Sequence, residues 1–311
     1  MQKGRFINER RKRMFATTET NQPGQCITVV CLVTELLRLS APTKLAGILL
    51  LAALTVLSLG SRTSADMIDV GHFVVAAGGQ VESVAIIVER HPDGQIWTSN
   101  SERAMQRFSP ASTSKIPHTL IALEHGLATL ETVFAWDGVP RSVRAWNQDH
   151  TLETAFQKSV VWVYQEIART AGQDMMSGAL ADFGYGNVNV GSIDQLTTYW
   201  LNDTLRISAA EQVAFLSGLA HEQFPLSAST YTVARDIMIS DADGNWVMRS
   251  KTGWRYSESD MDIGWFVGWL ECTNETYVFA LNMDMPDTRY LSKRRNVAYS
   301  VLEGIEAFDC N

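Results

Sequence analysis

Residues that could hold a metal are few and badly spaced for a metalloenzyme. The six histidines of this 311-residue chain are scattered (His72, His91, His118, His125, His150, His221), and none pairs with another at ligand spacing around a glutamate, which argues against a zinc hydrolase. Positive charge is in deficit as well. Lys and Arg number 26 against 34 Asp and Glu, a net charge of -8, and with few basic clusters this argues against nucleic acid as a partner. There is no internal repeat and no low-complexity tract. What remains, 46% hydrophobic and 19% charged residues, is the composition of an ordinary globular protein with room for one large domain or two smaller ones.

Long apolar runs are also lacking, with one exception near the N-terminus. Between Lys44 and Arg62 lie about 17 residues, short for a membrane span, and Thr63-Ser64-Ala65 follows. A charged start, an apolar middle and small residues describe a secretory signal, with cleavage expected after Ala65 and a retained anchor as the alternative. Signals usually begin at the initiator, so the leader before the run, with Arg10-Arg11-Lys12-Arg13, Cys26 and Cys31, suggests a start downstream of Met1. Export would place the mature chain in an oxidising compartment with Cys272 and Cys310 as its cysteines.

Pattern along the mature chain predicts strands, then helices, then strands. Val84 to Val88 and Gln95 to Trp97 flank the turn signal Pro92-Asp93-Gly94. A helix is predicted to start near Ser112 and end at Gly126. From about Leu127 to Ala242 the signals are mostly helical, including one helix across Ala155 to Ala168 and a capping box at Ser208 to Glu211. After the turn Asp243-Gly244-Asn245, strands are expected at Trp265 to Trp269 and Tyr277 to Leu281, and a last helix from Arg294 to Phe308. This order predicts an α/β protein of the α+β type: both chain ends build one central antiparallel sheet flanked by helices, with an all-helical domain inserted. The expected division is a leader (1–65) and a domain (66–311), with 66–126 and 243–311 in the sheet part and 127–242 in the helical part.

Four short motifs carry chemistry: Ser112-Thr113-Ser114-Lys115, Ser159-Val160-Val161, Tyr185-Gly186-Asn187 and Lys251-Thr252-Gly253. Serine three residues before lysine puts hydroxyl and amine on one face of a helical turn, so a lysine without its proton could activate the serine. Roughly half of one such pair is expected by chance in a chain like this, but a Lys-Thr-Gly within an apolar stretch is far rarer, well under about 0.1. The ordered set is the signal. Ser112 at a helix N-terminus also suits acyl transfer, because free N–H groups favour the negative charge that develops on an attacked carbonyl.

The set resembles that of the serine penicillin-recognising enzymes, and the segments around it are similar to class D β-lactamases, the oxacillinases. Pro110 to Pro117, Trp136 to Pro140, Trp146 to Leu152, Ser159 to Gln165, Trp200-Leu201 with Leu205 to Ser208, and Gly264 to Trp269 carry the resemblance, which extends from about Val81 to the C-terminus. Ser114 departs from the family's usual phenylalanine, and His118 from a common asparagine. The resemblance implies a periplasmic enzyme that opens the β-lactam ring of penicillins through an acyl-enzyme on Ser112, with small-molecule β-lactams as its partners and no stable membrane association after signal cleavage. It implies Lys115 carboxylated by carbon dioxide or bicarbonate (N6-carboxylysine) as base, no other cofactor, no metal, and Trp200, Val161 and Leu201 around the modified amine. It further assigns the proton shuttle to Ser159, the oxyanion hole to the backbone N–H groups of Ser112 and Trp254, and substrate binding to Lys251, Thr252, Gly253 and Arg294. Tyr185 is a weaker, more structural candidate, and the neighbouring Arg295 leaves the arginine's register open by one residue. An unmodified lysine base is the alternative at Lys115. No Ser-Asp-Asn occurs, which disfavours the class A arrangement.

Two other activities share these motifs. A β-lactam receptor or a cell-wall transpeptidase acylates but deacylates slowly. Receptors usually carry several membrane spans and a protease-like region, and this chain has one candidate segment and no zinc-protease motif. Finally, strand and helix lengths of roughly 25–30 Å bring Cys272 and Cys310 to the same end of the sheet, as a disulfide or as two separate thiols.

Overall fold

The fold is known from a computed structural model that describes residues 67–310. The apolar run at Ser61 and before, and the cleavage site after Ala65, lie outside those residues. Seven strands form the central sheet in the order β1-β3-β2-β9-β8-β7-β6, where β1 is Met67–Asp69, β2 Val84–His91, β3 Ile96–Thr98, β6 Ile239–Asp243, β7 Trp246–Arg255, β8 Asp262–Glu271 and β9 Thr276–Met285. All neighbours are antiparallel except β1 and β3, so the expected wholly antiparallel sheet has one parallel edge pair. The central strands β8 and β9 are buried almost throughout, because helices cover both faces, and their sequences accordingly run apolar instead of alternating.

One face packs against α1 (Gly71–Ala76) and the C-terminal helix α8 (Tyr290–Gly304), through Val84, Ile86, Phe279, Leu281, Val297 and Val301. The other face carries α3 (Lys115–Glu124), α6 (Ala209–Ala220) and the helices behind them, α4 (Leu152–Gln157), α5 (Val161–Asp182, interrupted at Gly172) and α7 (Ala228–Ile237), all in one core. A short α2 (Ser101–Ala104) precedes the turn that carries Ser112. The capping box at Ser208 forms as expected, with Ser208 and Glu211 each bonding the other's backbone N–H.

Four expectations are corrected. The helix predicted across Ala155 to Ala168 is two, because Ser159 between α4 and α5 takes a positive φ of 58° that no helix accommodates. The region 127–242 is not all-helical: β4 (Val133–Phe134) pairs with β5 (His150–Thr151), and the main sheet resumes at Ile239, before the expected 243. Strand β6 was unreadable because every one of its residues is exposed, leaving no alternation, and pairing with β7 alone makes it a strand. The last helix begins at Tyr290, which puts Arg294 inside its second turn instead of at its start. Cys272, beyond β8, and Cys310 are disulfide-bonded, with Cα atoms 5.2 Å apart. Among the described residues no helix is long and apolar enough to cross a membrane.

Candidate active site

The segment that carries Ser112 is a tight 3-10 turn, Ala111–Ser114, running straight into α3. The turn is held from several sides. Ala111 sits at a positive φ of 47° while its N–H donates to the carbonyl of Trp200, which also accepts from Ser109 Oγ. Thr113 Oγ1 donates to the Pro110 carbonyl, and Ser114 Oγ to that of Ala111. Strand β7 presses against this turn at Gly253, where a Cβ would meet the Pro110 carbonyl oxygen at 2.9 Å and Thr113 Cγ2 at 3.1 Å. The Gly of Lys-Thr-Gly is thus a packing requirement, as close approach of two backbones leaves no room for a side chain. Ser112 itself stays half-buried at the turn.

Lys115, one turn on, is completely buried, and its Nζ stands 3.0 Å from Ser112 Oγ. Burial, with Lys251 nearby as a lesser cause, holds this amine well below the usual lysine range. Its surroundings are aromatic. The Tyr164 ring lies 5.1 Å from Nζ, and the Tyr164 hydroxyl is tied to Thr119. Trp200 is fully buried and its indole Nε1 has no hydrogen-bond partner. Leu201 and Val161 are half-buried.

Ser159 owes its position to the break between α4 and α5, whose strained φ turns it out of the helical path toward β7. Lys251 Nζ lies 3.0 Å from Ser159 Oγ and 3.0 Å from the Thr252 carbonyl. Burial and, secondarily, Arg294 push the Lys251 pKa down to about 7. Arg294 reaches in from α8 and donates to the carbonyls of Gly253 and Leu291. Gly264 lets it pass, since a Cβ there would come within 2.7 Å of Arg294 Cδ. Burial lowers the Arg294 pKa to about 10, so it stays cationic at neutral pH. Of the two neighbouring arginines, Arg294 meets the Gly253 carbonyl, while Arg295 lies over the rings of Phe266 and Tyr299.

Ser112 with Lys115 and Ser159 with Lys251 thus form two pairs, and the two lysines are close enough for Lys251 to lower the Lys115 pKa. Trp254 is on β7 two residues beyond Thr252, its exposed indole N–H donating to Asp262. Tyr185 is not in the cleft. It is fully buried, and its hydroxyl lies near Thr113 Oγ1 (3.5 Å) and Gln212 Nε2 (3.2 Å), so it braces the turn at Ser112 and cannot touch a substrate. Gln212 was missed by motif reading, and Tyr164 was read only as part of the segment Ser159 to Gln165, with no role of its own. Neither falls in a recognisable spacing, and only the packing of α6 and α5 on α3 shows what they do.

Comparison with known proteins agrees with this geometry. The family model for the penicillin-binding-protein transpeptidase domain matches residues 72–303. The chain is 43% identical over 211 residues to β-lactamase OXA-48 of Klebsiella pneumoniae, spanning 67% of this chain and 78% of that protein. It is 39% identical over 231 residues to β-lactamase OXA-3 of Pseudomonas aeruginosa, spanning 74% and 82%. Among solved structures, the class D β-lactamase YbXI from Nostoc superposes with a TM-score of 0.73 at 34% identity, covering 77% of this chain and 99% of the other. The class D enzyme FUS-1 from Fusobacterium nucleatum gives 0.71 at 32%, covering 75% and 96%. A Ser-x-x-Lys turn with a buried lysine, in a chain alike over most of its described length to these enzymes, places it among the class D serine β-lactamases, hydrolases of β-lactams.

Proposed function

We propose that this enzyme hydrolyses penicillin-type β-lactams through an acyl-enzyme on Ser112, with Lys115 carboxylated on its Nζ as the general base. The observation that carries this reading is the 3.0 Å contact between Ser112 Oγ and a completely buried lysine amine. A protonated lysine has no lone pair with which to take a proton, whereas a desolvated, neutral amine does and can also add carbon dioxide. The surroundings fit a carbamate. Its oxygens need donors in a dry pocket, and the buried indole N–H of Trp200 is a donor without a partner. When formed, the carbamate supplies the base that removes the Ser112 proton and later activates water.

The chain's own groups do the rest. Ser112 Oγ attacks the lactam carbonyl, whose oxygen gains charge beside the backbone N–H groups of Ser112 and Trp254. The C–N bond breaks, and Ser159, bonded to Lys251, passes a proton to the departing nitrogen. Lys251, Thr252 and Arg294 hold the substrate carboxylate on the backbone of β7, with Gly253 giving the close approach. An arriving carboxylate favours the charged form of Lys251, raising its pKa from about 7. Export to the periplasm, with cleavage after Ala65, completes the reading and is supported by the apolar run before Arg62.

The test uses purified protein and a chromogenic cephalosporin. Sustained turnover, lost together with covalent penicillin labelling in Ser112→Ala, is the expected result. Labelling with a single turnover would instead indicate a slow-deacylating receptor or transpeptidase, and turnover surviving in the variant would end the acyl-enzyme assignment.

A further inference from the structure

Most arginines of the described chain are matched by carboxylates: Arg103 with Asp284, Arg141 with Asp137, Arg249 with Glu271, Arg255 with Asp203. The cations at the carboxylate end of the cleft are not. Lys251, Arg294 and Arg295 take part in no ion pair among the described residues, although Arg294 and Arg295 are adjacent on α8 and Lys251 is close enough to Arg294 for its pKa to respond. One substrate carboxylate balances only part of that charge.

Beside it lies a cavity of about 280 Å³ whose wall includes Phe156, Ser240, Ser250, Lys251, Thr252 and Arg295. Arg295 is oriented there by ring stacking. Its guanidinium carbon is 5.6 Å from the Phe266 centroid and 5.7 Å from that of Tyr299, and it donates to the Tyr299 hydroxyl at 3.4 Å. The same hydroxyl donates to Asp241 at 2.9 Å, making Asp241 the carboxylate linked to Arg295, at one remove. Ser240 Oγ and Ser250 Oγ, 2.6 Å apart, add hydroxyls to the wall.

Direction along β7 indicates what this cavity would receive. The lactam carbonyl is assigned to the N–H of Trp254 and the ring carboxylate to Thr252, two residues or roughly 7 Å back along the strand. Continuing the same way leads to Ser250 and the cavity. In a fused β-lactam, the ring carbon next to the one bearing the carboxylate carries the substituent that extends past it. We propose that this cavity is a second, anion-accepting subsite in which Arg295 selects β-lactams bearing an acidic substituent on that adjacent carbon. The proposal rests on the β-lactam reading of the cleft and names a substrate class within it.

Arg295 is exposed and outside the proposed chemistry, so Arg295→Gln and Arg295→Lys are expected to fold normally. The measurement is kcat/KM on two cephalosporins that differ only at this carbon, one neutral and one carrying a carboxylate. Arg295→Gln is expected to lose about tenfold on the anionic substrate and less than about twofold on the neutral one, a charge-assisted contact being worth roughly that ratio, with Arg295→Lys between. Equal losses on both substrates, or none on either, would overturn the subsite. A wild-type protein inert toward both substrates would instead count against the hydrolase reading, and so separates the two failures.

Discussion

The two faces of the central sheet are built on different terms. Against α1 and α8, Val84, Ile86, Phe279, Leu281 and Val301 form a core of side chains that need nothing but contact. Against α3 and α6, the core includes Lys115, His118, Thr113 and Gln212, all buried. Every buried side-chain polar atom found without a partner among the described residues lies on this second side: His118 Nδ1, Trp200 Nε1 and Gln212 Oε1 among the helices, and Thr98, Trp269 and Asn282 on that face of the sheet. Desolvated polar groups cost stability when unpaired, so one face secures the fold while the other tolerates cost around a buried lysine.

The sharpest way to break this contrast is Lys115→Met. It fills similar volume without an amine, so deacylation is expected to fall by about 10³-fold or more, the range of losing a general base, while the thermal midpoint stays level or rises because a desolvated amine has gone. Turnover that persists in the variant would show that the buried lysine is not the base, and a wild-type enzyme indifferent to bicarbonate after degassing at low pH would argue against its carboxylation. On the opposite face, Leu281→Ala is expected to remove about 2–5 kcal/mol of stability and leave kcat per folded molecule unchanged, checked by denaturant unfolding beside active-site titration. A selective loss of kcat would mean that the two faces are coupled.

The effect that is smallest at neutral pH concerns His118, held neutral at a pKa of about 3 by burial and, secondarily, by Lys115. Its folded pKa lies below the unfolded one, so the unfolded chain takes up the proton first and stability falls as pH drops from about 6.5 toward 3, by about 1.4 kcal/mol per unit. His118→Asn is expected to flatten that slope when unfolding is followed across this range. An unchanged slope would show that other groups control acid sensitivity.

Much of the site was legible because its motifs are local. Ser112 and Lys115 are three residues apart on one turn, and Lys251-Thr252-Gly253 is a single strand segment, so backbone period alone brings their groups together. The limits are equally specific. Apolar spacing across Ala155 to Ala168 reads as one helix, yet Ser159 breaks it, and this break turns that hydroxyl toward Lys251. Tyr185 stands in a motif but was buried by Phe215 and Gln212, residues distant in sequence. The departures from the family at Ser114 and His118 were visible, though not that His118 would meet Tyr199 at 2.6 Å and stand edge-on to Trp200.

By itself, then, the sequence determined the broad order of strands, helices and strands, the Ser-x-x-Lys and Lys-Thr-Gly motifs and the family, since these follow from periodicity and from residues a few positions apart. Only the tertiary structure decided which arginine meets Gly253, that Lys115 is stripped of water, and that β6 is a strand. Each of these depends on burial or pairing between segments tens to hundreds of residues apart, and desolvation, which sets the chemistry of an amine, is a property of the packed neighbours.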